Sequence, residues 1–316
     1  MLPDNNWYGH KSILLNYLGL KQKKIFASLM HGWVSDYHFQ FIKKKKTNFF
    51  PYLVWSKKIE DFYSKRNIKN VISIGAPFLY LCKIYSDKLK KIHIKNSLPK
   101  GLIFFPPHSS QDYKPNIDHK KFIEKIIKIN KGPYTVCLYY YDFKSDVIAI
   151  YKRYNWRIVC CVKNRTDPYS LYNLYKEISL HEYVVSGELN SPLFYSMYLK
   201  KKTRVMLIAN KSKNKLDQMT SRINFIIKYY KKKYPDLFKR FFPVKKAFKL
   251  SRIELGENSL KSKKKLKKIL GLNSVLKIFL ANFFSILYDV KYGANLRKGK
   301  DLSNKQLRKY IAVSRD

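Results

Sequence analysis

The sequence predicts an α/β protein built on a doubly wound parallel sheet, and three observations carry that expectation. Short apolar runs alternate with amphipathic runs of helix length from Gly101 to Leu207. The apolar runs are hydrophobic nearly throughout, as strands covered on both faces must be. The connections between them are short, which suits parallel strands joined by crossover helices. At 316 residues and 46% hydrophobic content, the chain has enough apolar material for one large domain or two modest ones.

The alternation is strongest from Gly101 onward. Strand LIFFPP, helix HKKFIEKIIKI, strand YTVCLYYYD, helix SDVIAIYKRYN and strand WRIVCCV come first. Helix SLYNLYKEISL, strand YVVSG, helix SPLFYSMYLKK and strand RVMLIA follow. Residues 1 to 97 read as a smaller α/β domain. There LLNYLGL and KKIFASLMHGW supply helix or strand, FFPYLVWS a strand, SKKIEDFYSKRN a helix, and NVISIGAPFLYLC a second strand stopping at Gly75-Ala76-Pro77. NSLPKG, at Asn96 to Gly101, reads as the linker, so the second domain is expected over residues 98 to 250. Residues 214 to 240 have the pattern of a Lys- and Tyr-rich amphipathic helix.

Residues 251 to 316 read as a helical extension. Its segment NSVLKIFLANFFSILYDVKYG has an apolar face too wide for a solvated helix. Flanking lysines suit it to lying on an anionic membrane surface, and packing against its own domain accounts for the pattern equally well. No apolar run approaches the roughly 18 residues of a membrane span, so membrane contact is expected to be peripheral. The start, MLPDNNWYGHKS, lacks a basic segment followed by an apolar one, which makes the cytoplasm the expected compartment, with peripheral contact on the inner membrane face. Cys82, Cys137, Cys160 and Cys161 lie in apolar runs without metal-ligand spacing and are expected to be buried and reduced.

The balance of 65 Lys+Arg against 21 Asp+Glu, a formal charge of +44, suits nucleic acid, anionic lipid or phosphorylated substrates. The lysines are dispersed over every helix, and most Tyr and Phe fall in strands. A nucleic-acid-binding surface needs basic and aromatic residues gathered on one face, so this distribution argues against it.

Polar residues that can carry chemistry stand at strand ends, where open α/β sheets bind ligands. Pro106-Pro107-His108-Ser109-Ser110 follows one strand, and its amides, hydroxyls and imidazole can face a phosphate or ribose; taken alone it is better explained as a Pro-stiffened turn with a Ser cap, and its recurrence with a second such loop is what favours the functional reading. Ser186-Gly187-Glu188-Leu189-Asn190-Ser191 follows another. With Pro192 at the first helical position, Ser191 is the expected helix cap, and the helix end offers N–H groups and dipole to an anion. Glu188 can hold ribose hydroxyls. In the amino-terminal domain, His31 or Asp36 can remove a proton from an acceptor hydroxyl. Asp36 and His38 also have the donors for a metal, but no third ligand has suitable spacing, so no metal is expected. The remaining histidines, His10, His93, His119 and His181, are expected at the surface or at helix caps.

Taken in order, HGW, VWSKKIEDFYSKRNIKNVISIGAPFLYL, FFPPHSSQ and YVVSGELNSPLFYSMYLKKKTRVM resemble the GT-B glycosyltransferases of bacterial surface polysaccharides, over about residues 29 to 272. Similar in style are the enzymes that use CMP-activated sugars, namely polysialyltransferases and capsule Kdo transferases. The CDP-glycerol glycerophosphotransferases of teichoic-acid synthesis are a neighbouring pattern. The resemblance implies two Rossmann-like domains with the helical tail crossing back to the first. It implies a metal-independent transferase, needing no cofactor, that moves a sugar from a nucleotide donor, with CMP-sugar favoured, to a capsule, lipopolysaccharide or related glycan or glycolipid acceptor. In such enzymes a His loop and a Ser-Ser motif grip phosphate and ribose. Carried over, His108, Ser109 and Ser110 match the first, and Ser186 and Ser191 the second. The sialyltransferase order His-Pro stands here as Pro107-His108. No acidic-acidic-Gly motif marks the base, which leaves His31 or Asp36 by position.

Overall fold

The computed structural model describes residues 6–21, 23–34, 50–89, 100–109, 115, 117–207 and 218–296. They divide into two compact units. The first comprises the described residues of Met1–Asn96, Asn164–Leu171 and Arg252–Asp301, and the second those of Ser97–Lys163 and Tyr172–Ser251.

The first unit opens with a 3-10 turn, Trp7–Gly9, and helix α1 (His10–Tyr17). Strands β1 (Ser28–Leu29), β2 (Tyr52–Val54) and β3 (Val71–Ser73) form a parallel sheet in that order. Between β2 and β3 runs α2 (Lys57–Ser64), which buries Ile59 and Tyr63, four residues apart on one face. On its wet side Lys57 pairs with Glu60 at 2.7 Å and Asp61 at 3.1 Å. Helix α3 (Pro77–Leu89) follows β3. The strand in NVISIGAPFLYLC stops before Gly75-Ala76-Pro77 as expected, and the rest of that run is helix. Gly75 takes φ +81 and turns the chain, and Pro77 then starts a helix where its missing N–H costs nothing.

The second unit is a five-stranded parallel sheet in the order β6-β5-β4-β7-β8. Along the chain come β4 (Leu102–Phe105), α4 (His119–Ile127), β5 (Tyr134–Cys137), α5 (Ser145–Arg153), β6 (Arg157–Val159), α6 (Ser170–Leu180), β7 (Tyr183–Ser186), α7 (Ser191–Tyr198) and β8 (Lys202–Val205). Every residue of β4 is buried, as expected of a central strand covered on both faces. Helix α4 shows the helical period plainly. Asp118 caps it by accepting the Lys121 N–H at 2.9 Å, and Phe122, Ile123 and Ile126 face Phe104 and Trp156 in the core. The run YTVCLYYYD is a strand only as far as Cys137, because Tyr140–Asp142 winds into a 3-10 turn. The segment expected as one helix over 214 to 240 contains α8 (Gln218–Lys233) and α9 (Pro235–Lys239), separated where Pro235 cannot donate an N–H to the preceding turn. All four cysteines are free thiols; three are buried and Cys82 is half-buried.

Helix α10 (Val244–Glu254) leads the chain back into the first unit. There the turn after it lies on the carboxyl ends of β2 and β3. The Ala76 N–H donates to the Leu255 carbonyl at 2.8 Å, and the Lys261 N–H donates to the Tyr80 hydroxyl at 3.0 Å. Tyr80 in turn donates to the Ile74 carbonyl at 2.6 Å. Helix α11 (Lys263–Ile269) and helix α12 (Val275–Leu296) follow. α12 packs Leu280, Ala281 and Phe284 against Phe26 and Phe50. The α/β class expected from the sequence, two Rossmann-like units with a helical carboxyl-terminal stretch, is what the structure contains.

The closure of the first unit depends on Gly256. It sits at φ +70, and a Cβ there would lie 1.9 Å from the Trp55 carbonyl oxygen, an immovable backbone atom. Gly256→Ala combines left-handed strain with that clash, so it is expected to lower stability by about 2 kcal/mol or more in urea denaturation. An unchanged unfolding midpoint would contradict the packing described.

Candidate functional site

In the second unit the strand order reverses between β4 and β7, and the crevice outside the carboxyl ends of such a pair is where open α/β sheets take ligands. Phe105 and Ser186 form the last register pair. The Gly187 N–H then donates to the Phe105 carbonyl at 2.7 Å, carrying the pairing one step past the strands. The two loops touch so closely that a Cβ on Gly187 would lie 2.3 Å from Pro107 Cδ. Only glycine permits that approach.

This contact brings His108 and Glu188 together, with His108 Nε2 3.6 Å from Glu188 Oε1. The other ring nitrogen, Nδ1, lies 3.1 Å from the Ser109 carbonyl, to which it can donate. One face of the imidazole meets Tyr139, ring centroids 4.6 Å apart, and Tyr139 continues into the rings of Tyr140 and Tyr141. The Ser109 N–H donates to Asp142 Oδ2 at 2.8 Å, and both residues are buried. A third strand end, that of β5, is thereby tied to the other two.

The sequence-predicted residues are distributed as follows. Ser186 ends β7, and His108, Ser109, Gly187, Glu188 and Ser191 belong to the loops after β4 and β7 or to the first turn of α7. The Ser186 hydroxyl is fully buried and donates to the Glu188 carbonyl at 2.7 Å, so in this structure it shapes its own loop. Ser191 is not the cap of α7. Asn190 is: its side chain accepts the Leu193 N–H at 3.0 Å, which makes Ser191 and Pro192 the first two helical residues. The cap occupies the Leu193 amide and Pro192 has none, so the helix end offers an anion chiefly its dipole. His31 lies in the first unit, exposed beside β1, with its ring 6.2 Å from that of Trp7, over which the Arg165 guanidinium sits at 5.5 Å. Asp36 and Ser110 lie outside the described residues, as do His38 and His93.

Glu188 is the electrostatic centre of the site. Its side chain is 27% exposed, but burial pushes its carboxyl above the ordinary glutamate range. His108 and then the Asn190 amide act in the opposite direction, Asp142 adds to the rise, and the net shift is upward. A rise in that value favours the protonated carboxyl, the form that can donate a hydrogen bond to an anion.

The sequence reading missed Asp142, Tyr139 and Asn190. The first two were hidden by treating YTVCLYYYD as unbroken strand, although an Asp closing an aromatic run is itself a signal of a strand end. It also misplaced three histidines. His10, His119 and His181 are buried in the core, and each is hydrogen bonded. His10 meets the Met30 carbonyl at 3.2 Å, and burial pushes its pKa down to about 3. His119 meets the Tyr151 hydroxyl at 2.9 Å. His181 joins the Glu177 carbonyl at 2.6 Å to the Thr135 hydroxyl at 2.9 Å.

Fold and site together define an α/β protein in which polar loops meet at the switch point of its larger sheet. No protein-family model matches the chain, and no curated protein does. Among solved structures it is similar to the wall teichoic acid polymerase TagF, with a TM-score of 0.28 and 9% identity over 76% of this chain and 58% of the polymerase chain. A histidine-to-alanine variant of that polymerase gives a TM-score of 0.26 and 11% identity over the same shares. The chain thus spans less than two thirds of those structures' length, and no residue role is taken from them.

The Glu188 shift has a measurable sign. The folded state holds this proton more tightly than the unfolded chain does, so stability falls as pH rises from the ordinary glutamate range through the raised folded value. Glu188→Gln has no such loss. Its melting temperature relative to the parent should therefore climb as pH goes from about 4 to about 7. A flat difference across that range would show that Glu188 titrates as it does in the unfolded chain.

Proposed function

We propose that the chain is a transferase of surface-glycan synthesis whose second unit holds a nucleotide-linked donor at the β4/β7 switch point. The observation that supports this most is the convergence of His108, Glu188 and the amino end of α7 at the carboxyl ends of two adjacent parallel strands. In this reading His108 and the α7 dipole meet the charge that develops on the leaving phosphate, in place of a metal ion. Glu188 donates from its neutral form to a phosphate or ribose oxygen, and Tyr139 offers a flat ring beside the imidazole. Ser109, Ser186, Gly187 and Ser191 frame the same donor site, and Ser110, outside the described residues, is proposed with them from the sequence resemblance. His31 is proposed as the base that accepts the acceptor's hydroxyl proton, with Asp36 as its alternative.

The donor is assigned by the sequence resemblance, which points to cytidine nucleotides. A CMP-sugar is placed first, making the protein a glycosyltransferase acting on a capsule, lipopolysaccharide or related glycan from the cytoplasmic side. CDP-glycerol, making it a glycerophosphotransferase, is the second donor that the same motif order supports. A nucleic-acid-binding role is disfavoured by where the aromatic residues lie, since Tyr80, Tyr151, Tyr195 and Tyr230 are fully buried core residues and not an exposed stacking surface.

Thermal shift with CMP, CDP, UDP and GDP tests the proposal. A ligand that binds only the folded state at about 100 times its dissociation constant stabilises it by about 2.7 kcal/mol, so a cytidine nucleotide should raise the melting temperature by several degrees. Greater protection by CMP than by CDP favours the sugar donor, and the reverse favours CDP-glycerol. His108→Ala, at a partly exposed position that should not disturb folding, is expected to abolish the shift. If none of the four nucleotides stabilises the protein, the transferase reading fails.

A further inference from the structure

Helix α12 carries a second feature, which the donor site does not use. Val275, Leu276, Phe279, Phe283 and Ile286 are all exposed, from 47% for Phe283 to 86% for Val275. At 100° per residue these five positions fall within about 100° of arc, so they form one stripe. The neighbouring arc holds Leu280, Ala281 and Phe284, and these pack on Phe26 and Phe50. The helix is therefore docked by one face while a separate apolar face is left toward solvent. Phe279 and Phe283 lie one turn apart with rings stacked at 12°, which keeps the stripe smooth.

The segment that leads into this stripe carries charge of one sign. Residues 261–277 contain seven lysines and no Asp or Glu. Lys263, Lys264, Lys265, Lys267 and Lys268 on α11 are exposed, as is Lys277 on the first turn of α12, while Leu266 holds α11 to the core. An exposed apolar stripe with a dense cationic neighbour matches the two parts of an anionic lipid surface, an acyl boundary and a layer of negative headgroups. Lysines also fit such a boundary because their alkyl stems lie along apolar surface while the ammonium reaches the headgroups. Among the described residues no helix is long and apolar enough to cross a membrane, so α12 would lie in the interface plane.

We infer that α11 and the exposed stripe of α12 form a docking surface for an anionic bilayer, with Phe279 and Phe283 inserted at the acyl boundary and the α11 lysines on the headgroups. This inference stands apart from the donor-site reading, because neither helix supplies a residue to that site.

The test is co-sedimentation of the full chain with phosphatidylcholine vesicles, with or without about 30% phosphatidylglycerol. The protein should bind only the anionic vesicles, and raising salt from about 0.1 to about 0.5 M should weaken binding at least tenfold. Phe279→Ser/Phe283→Ser changes exposed positions only and should lower partitioning about tenfold or more, with the melting temperature unchanged. Lys264→Gln/Lys268→Gln should lower it by about 25-fold, at about fivefold for each lysine charge lost. Equal binding to neutral and anionic vesicles, or full binding by the phenylalanine variant, overturns the inference. So does self-association in light scattering that the phenylalanine variant abolishes when no vesicle binding is seen, since a second copy would then be what covers the stripe. No nucleotide enters any of these measurements, so their outcome is independent of the thermal-shift result.

Discussion

One backbone hydrogen bond organises the candidate site, that from the Gly187 N–H to the Phe105 carbonyl. It extends the β4/β7 pairing past its last register pair and forces the two following loops into contact. Because Gly187 has no side chain, Pro107 can lie against it, and the chain on either side must then place His108 opposite Glu188. Asp142 completes the arrangement by taking the Ser109 amide, which holds the His108 loop from the β5 side. Three strand ends are thus joined at one place largely through main-chain groups. A buried main-chain N–H left without an acceptor is costly, so the geometry has little freedom to drift.

The same economy governs the rest of the second unit. Polar side chains are few in its core, and two of its buried histidines arrive with partners, His119 with Tyr151 and His181 with Thr135, whereas the Thr203 hydroxyl and the Trp156 indole N–H are buried without one. Glu188 is different in kind. Its neighbours divide, with His108 and Asn190 favouring the charged form while burial and Asp142 favour the neutral one, and the neutral form gains. A carboxyl held in that balance responds to an arriving charge more readily than one fixed in a salt bridge, which is a property expected of binding sites more than of scaffolds.

Much of the fold could be read from the sequence because the signals were local. Full burial of β4 shows as LIFF, and the period of α4 shows as HKKFIEKII. The failures came where local pattern underdetermines structure. LYYYD is apolar enough to continue a strand, and only the winding of Tyr140–Asp142 decides otherwise, while FLYLC after the expected stop at Gly75-Ala76-Pro77 is a helix that the apolar run does not announce. At the site, strand-end positions exposed His108 and Glu188 to sequence reasoning, since polar residues after apolar runs stand out. Asp142 could not be found that way, because its role is to receive an amide 33 residues away across the sheet. The choice of Asn190 over Ser191 as cap is a one-residue shift that composition alone does not resolve, as both side chains are good caps.

Both units put a positive-φ or side-chain-free glycine at the carboxyl ends of their strands, with opposite consequences. In the first unit Gly75 and Gly256 let the returning segment after α10 close onto β2 and β3, where Ala76, Tyr80 and Trp55 hold it. Those strand ends are covered by the protein's own chain. His31 escapes this cover because it follows β1, at the edge of the sheet. In the second unit Gly187 draws together two polar loops, and no segment of comparable apolar character lies on them among the described contacts. The fold therefore spends one set of strand ends on closing a core and leaves the other to polar groups.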